Sequence, residues 1–177
     1  MKEMLRYGFT LSLICVVASG LLAGVNYLTK PRIIAQAQAE EENSLKEVLP
    51  EALRFESVKS AQDILYYKAY NKEDKLLGIA FKTSTKGYSS IIETIVGMTK
   101  DGTINAIKVL SQNETPGLGT GITGASFTGQ FANKNIQKLS GVQAITGATI
   151  SSKAVIDSVK NKAGEIRELI KDDPKYE

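Results

Sequence analysis

The chain of 177 residues has no histidine, no tryptophan and a single cysteine. Each absence closes a class of chemistry. Without histidine it lacks the commonest metal ligand and the commonest general base. One cysteine excludes an internal disulfide and any cysteine-only iron–sulfur or zinc site within the chain. That residue, Cys15, stands in an apolar run, where a small apolar role is natural for it. Net charge is only +3 and no dense Lys/Arg stripe appears, so no nucleic-acid partner is expected. A protein so poor in catalytic side chains must borrow its chemistry, and redox work would fall to an organic cofactor.

Charge is also missing from one long stretch. No ionised side chain occurs from Tyr7 to Thr29. Roughly 20 apolar residues at a rise of about 1.5 Å cross the ~30 Å hydrocarbon core of a bilayer. Residues 9–29 are therefore read as a transmembrane helix after a flank at 1–8, with the lipid bilayer as a partner. Ala35-Gln-Ala37 offers the small residues of a cleavage site, but a signal-peptide core runs only ~7–15 residues. Lys2 and Arg6 before the run balance Lys30 and Arg32 after it, so orientation does not follow from charge.

Pro31 is expected to end or kink that helix. Residues 30–58 read as a helical stalk and linker, the stalk being the Ala-, Gln- and Glu-rich 33–49, and 59–172 as the folded domain with a tail at 173–177. Apolar runs at 64–70, 76–83, 91–98 and 103–110 alternate with polar turns. Lys100-Asp101-Gly102 between two of them is a hairpin signal. An antiparallel meander follows, and the fold class is α+β: an antiparallel sheet with flanking helices. Residues 127–137 suggest a short helix. Val155, Val159, Ala163, Ile166 and Ile170 fall on one side of a helix over 150–170.

Two segments carry the chemistry. The first is Thr146-Gly147-Ala148-Thr149-Ile150-Ser151, where a short turn meets the start of the last helix. A helix start offers unpaired N–H groups and partial positive charge, which suit a phosphate. Thr146, Thr149, Ser151 and Ser152 surround that end, and Lys153 adds a cation. The bland alternative makes Thr149 or Ser151 an ordinary N-cap. The second is the loop Glu114-Thr115-Pro116-Gly117-Leu118-Gly119, whose glycines permit close approach to a ligand. A third segment, Lys86-Gly87-Tyr88-Ser89, precedes a strand.

Together with the apolar N-terminal run, these motifs resemble the family of RnfG, the flavin-carrying subunit of the Rnf ferredoxin:NAD oxidoreductase complex, and of its relative NqrC. The resemblance spans essentially the whole chain. It implies an FMN-binding domain over 59–172, with FMN held through a phosphoester to Thr149 and installed by a separate flavin transferase. It further implies an electron-relay role among the other membrane subunits of an Rnf-type complex, with the soluble domain outside the cytoplasmic membrane. Carried over residue by residue, Thr146, Gly147, Ala148 and Ser151 accompany Thr149, with Lys153 nearby as the cation read from the helix start. Glu114, Thr115, Gly117, Leu118 and Gly119 form the flavin loop, with Leu118 against the ring and Thr115 as a hydrogen-bonding group; Gly87 and Tyr88 match a further position. Gln143 departs from the pattern, which has an acidic residue there. No Rossmann fingerprint or cysteine cluster suggests direct NAD or ferredoxin binding, and no metal site is expected. The alternatives are an NqrC-like subunit of a sodium-pumping NADH:quinone oxidoreductase and an anchored module with no cofactor.

Overall fold

The computed structural model describes residues 2–60 and 63–171; the tail expected at 173–177 lies outside them. The chain divides into two compact units, Met1–Glu41 and Glu42–Glu177.

Helix α1 runs Lys2–Val48. Its apolar side chains, among them Phe9, Leu13, Val17 and Leu22, are exposed. Apolar groups on every face with nothing packed on them need a non-aqueous environment. This helix is long and apolar enough to cross a membrane. Of the two outcomes expected at Pro31, an end of the helix is not what happens. The ring removes one intrahelical donor, and the strong helix formers that follow carry the ladder on to Val48.

The second unit is a six-stranded antiparallel meander in the order β1 to β6. Its strands are β1 (Arg54–Ser60), β2 (Asp63–Tyr70), β3 (Leu76–Lys86), β4 (Ile91–Thr99), β5 (Thr103–Ser111) and β6 (Lys134–Asn135). Alternate residues serve opposite faces. In β4, Ile92, Val96 and Met98 enter one core while Ile95 enters another. The larger core is closed by helix α3 (Thr149–Lys171) through Val155, Val159, Ala163, Ile166 and Ile170. The smaller core, on the other face, takes Leu45, Val48, Leu49 and Ala52. There the end of α1 touches the sheet. A Cβ on Gly97 would overlap the Val48 carbonyl, and Asn105 Nδ2 donates to that carbonyl at 2.6 Å. One of the orphan carbonyls at the end of α1 thus finds a partner.

The β4–β5 turn is the expected hairpin. Gly102 takes φ +80°, and the hydroxyls of Thr99 and Thr103 each donate to the Asp101 carboxylate at 2.5 Å. Those bonds, from Thr103 first and then Thr99, hold the Asp101 carboxyl below its ordinary range.

Two expectations are corrected. The stalk and linker do not extend to residue 58, because Ser44, Leu45, Val48, Leu49 and Ala52 are buried and β1 occupies Arg54–Ser60. Residues 127–137 are not one helix. Helix α2 (Ala125–Thr128) gives way to a tight turn at Gly129–Phe131, strand β6 and a second tight turn at Ile136–Gly141. Asn133 sits at φ +58°, which no helix admits. What the segment does bury is aromatic: Phe127 and Phe131 meet edge to face, with ring centroids 5.5 Å apart at 77°.

Candidate functional site

The approach to α3 is held by side-chain amides and hydroxyls. Gln143 N donates to Gln130 Oε1 at 2.9 Å, and Gln130 Nε2 donates back to the Gln143 carbonyl at 3.3 Å. Ile145 N donates to Ser152 Oγ at 3.1 Å. Gly147 then turns the chain with φ +81°, a conformation that costs a residue with a side chain. Ala148 N closes the turn onto the Ile145 carbonyl at 3.0 Å.

The first helical hydrogen bond runs from Ser152 N to the Ala148 carbonyl at 2.9 Å. Ala148 is therefore the capping position, and it has no side-chain acceptor to offer. Thr149 is the first residue of the helix. The ordinary N-cap reading of Thr149 and Ser151 does not hold. Thr149 is exposed, and its hydroxyl has no hydrogen-bond partner among the described residues. The backbone N–H groups of Thr149, Ile150 and Ser151 likewise meet no acceptor among them, so the helix start keeps its free donors and partial positive charge.

Ser151 is buried and faces inward. Its hydroxyl donates to Glu114 Oε2 at 2.6 Å. Serine has one O–H, so this hydroxyl has no hydrogen left for another acceptor.

Glu114 is only 4% exposed, yet it is well supplied with donors. Tyr88 N reaches Oε2 at 3.2 Å, and Ser89 N and Ser90 N reach Oε1 at 3.1 and 2.9 Å. Ser90 Oγ adds a bond at 3.2 Å. Burial pushes the Glu114 carboxyl up, but the bonds from Ser151 and from Ser90 and Ser89 together outweigh it and hold the group below its ordinary value. Two glycines press on it. A Cβ on Gly87 would lie 2.5 Å from Oε1, and one on Gly119 would lie 2.7 Å from Glu114 Cβ.

These segments enclose a half-open cavity of about 520 Å³. Tyr88, Glu114, Thr115, Leu118, Gly119, Gly147, Ala148, Thr149, Ile150 and Ser151 line it. Thr146, Gly117, Gly87 and Lys153 fall outside the lining. Gly87 acts from behind, against Glu114. Gly117 shapes the loop with φ +75°, and its N–H donates to Thr120 Oγ1 at 3.1 Å. Lys153 is exposed one turn into α3. Gln143 is also exposed. Ile150 lines the cavity although only its neighbours were marked in the sequence. The signal was available, since a large apolar residue at a hydroxyl-rich helix start, here 58% exposed, has no core to fill.

An antiparallel sheet backed by a C-terminal helix, with a partly apolar cavity at that helix's start, has the geometry of a small-molecule binding domain. Residues 87–163 match the model of the FMN-binding domain, and residues 1–48 match that of the RnfG N-terminal region. The chain belongs to the RnfG family. It is 34% identical to the G subunit of the proton-translocating ferredoxin:NAD(+) oxidoreductase complex of Clostridium ljungdahlii, over 88% of either chain. It is 33% identical to the G subunit of the ion-translocating oxidoreductase complex of Methanosarcina acetivorans, over 89% of this chain and 92% of that one. The G subunit of the Na(+)-translocating ferredoxin:NAD(+) oxidoreductase complex of Acetobacterium woodii is also 33% identical, over 89% of each. In fold the chain is similar to NqrC of Shewanella oneidensis, with a TM-score of 0.50 at 18% identity, over 69% of this chain and 74% of that one.

Proposed function

We propose that this chain is an electron-relay subunit of an Rnf-type, membrane-bound ion-translocating oxidoreductase, carrying FMN through a phosphoester to Thr149. The observation that carries the reading is the start of α3. Thr149 offers an exposed, unpartnered hydroxyl beside free backbone N–H groups, at the edge of a cavity walled by Leu118, Tyr88 and Ile150. At about 520 Å³ the cavity lies within the ~300–1,000 Å³ range of small-molecule sites, and apolar walls suit a flat aromatic ring. Free helix donors suit the phosphate. The residues present therefore fit the group.

Bound FMN would supply one- and two-electron chemistry that no side chain here offers. The chain's own tasks are to hold and orient it. The first turn of α3 would hold the phosphodiester, whose negative charge a helix start stabilises by roughly 0.3–1 kcal/mol. Leu118 and Tyr88 would flank the ring, and Thr115 would hydrogen-bond it. Helix α1 would anchor the chain by a single pass, with the domain on the extracytoplasmic side. The other membrane subunits of the complex would deliver and take electrons, and a flavin transferase would install the cofactor. The relatives at 33–34% identity favour an Rnf-type complex over an NqrC-type one.

The test is denaturing electrophoresis read by flavin fluorescence, after making the full chain together with a flavin transferase. A fluorescent band whose FMN maps by peptide mass to Thr149 is expected. A dark band despite an active transferase would overturn the reading in favour of an anchored module without cofactor.

A further inference from the structure

Three motifs far apart in sequence meet at one carboxylate. The Glu114 oxygens take hydrogen bonds from the backbone of Tyr88, Ser89 and Ser90, from the Ser90 hydroxyl and from the Ser151 hydroxyl. Gly87 and Gly119 are close against it, with no room for a Cβ. The β3–β4 turn, the loop after β5 and the first turn of α3 are thus drawn to a common point. Among the described residues no charge of opposite sign forms an ion pair with Glu114; hydrogen bonds hold the ion.

We infer that Glu114 and Ser151 form a latch that positions Thr149, so that Ser151 serves the acceptor site through Glu114 rather than by touching the cofactor. This rests on the flavin-carrier reading above. The geometry of a helix supplies the link. Successive residues turn by about 100°, so residues two apart point roughly 200° from one another. Pinning Ser151 inward on Glu114 aims Thr149 outward, as its exposure shows. The spacing Thr-x-Ser is then a mechanical requirement: the buried hydroxyl is the anchor, and the exposed one is the acceptor. Every group of the latch belongs to the chain itself. Glu114 and Ser151 are positioning residues.

The full chain would be made with a flavin transferase as Ser151→Ala, Glu114→Gln, the double variant and Ser151→Thr. The readouts are the initial rate of covalent flavin incorporation and a thermal melt confirming that each variant folds. Each single change should slow incorporation at least tenfold. The double should be no more than about twofold slower than the worse single, because both remove one interaction. Ser151→Thr restores the hydroxyl and should recover most of the rate. Incorporation at the wild-type rate in Ser151→Ala would overturn the latch. So would losses that multiply in the double, or a slow Ser151→Ala beside a normal Glu114→Gln, since the transferase would then be reading Ser151 directly. A wild-type chain that stays dark sinks the flavin reading instead, and amide hydrogen exchange then decides the latch. The Ser152 amide, which makes the first helical bond of α3, should exchange at least tenfold faster in both single variants. Unchanged exchange there would refute the latch.

Discussion

Gly87→Ala tests the packing around Glu114 by steric means alone. Gly87 does not occupy the left-handed region, so alanine meets no backbone penalty there. Its new methyl would stand 2.5 Å from Glu114 Oε1 and 2.6 Å from Ile92 Cδ1. Ile92 is fully buried, so its Cδ1 can yield only by disturbing a close-packed core. Relief then falls on the carboxylate, whose Oε1 accepts the bonds from Ser89 and Ser90 and loosens them when it moves. Overpacking of this kind costs about 1–3 kcal/mol, and a weakened bond to an ionised group about 1.5–3 kcal/mol. A combined loss of about 3 kcal/mol is expected. At roughly 3–4 °C per kcal/mol for a domain of this size, the melting temperature should fall by about 10 °C. Differential scanning calorimetry on the full chain would read it. Two glycines serve as references. A Cβ at Gly141 meets nothing within 4 Å, and its backbone is ordinary, so Gly141→Ala should stay within about 0.5 kcal/mol of wild type. Gly117 is equally open but has φ +75°, so Gly117→Ala should lose about 1 kcal/mol from strain alone. If Gly87→Ala melts with Gly141→Ala, Glu114 is not held as described.

Thr149→Val should abolish covalent flavin while leaving the melting temperature within about 2 °C, because Ala148 rather than Thr149 caps α3 and an exposed change of this kind costs under ~0.5 kcal/mol; covalent FMN retained in this variant would mean another residue is the acceptor. The folded Glu114 carboxyl titrates below its ordinary value of 4.5, so the stability it contributes is present above that value and is lost as pH falls through the lowered one. The stability gap between wild type and Glu114→Gln should accordingly hold constant from neutral pH down to about 5.5 and close below 4.5; a gap that widens on acidification would refute the assignment. Phe127→Ala should cost about 3–5 kcal/mol in a denaturant titration, since Phe127 is fully buried against Phe131, and a loss under ~1 kcal/mol would show that this segment does not seal the core.

Legibility followed apolar periodicity. Strands β2 to β5 were readable because each carries several residues that must be buried, and α3 because Val155, Val159 and Ala163 repeat at helical spacing. Strand β1 was not readable. Its apolar residues, Phe55 and Val58, pack against different faces of the sheet, so Arg54-Phe-Glu-Ser-Val-Lys-Ser shows no alternation. Strand β6 is two residues long and exists only because β5 offers an edge. Among the motifs, resemblance marked Glu114, Ser151, Gly87 and Gly119 as members of one site but not as contacts of one another. No local pattern reveals that a serine at a helix start will be spent on a carboxylate thirty-seven positions earlier in the chain. Tertiary placement alone decides it.

That placement resolves an apparent conflict in charge. A buried carboxylate beside the start of α3 ought to compete with a phosphodiester for the same positive end of the helix. It does not, because of where its donors come from. Three of the bonds to Glu114 are backbone N–H groups of the β3–β4 turn, and a fourth is the Ser90 hydroxyl. Only the Ser151 hydroxyl is drawn from α3, and a side chain is not part of the helix's own array of donors. The backbone N–H groups of Thr149, Ile150 and Ser151 stay free. The turn at Tyr88–Ser90 thus solvates Glu114, and the donors of the helix start remain for the phosphodiester proposed there. Glu114 and the proposed phosphodiester could thus be neighbours, because each would have its own set of dipoles.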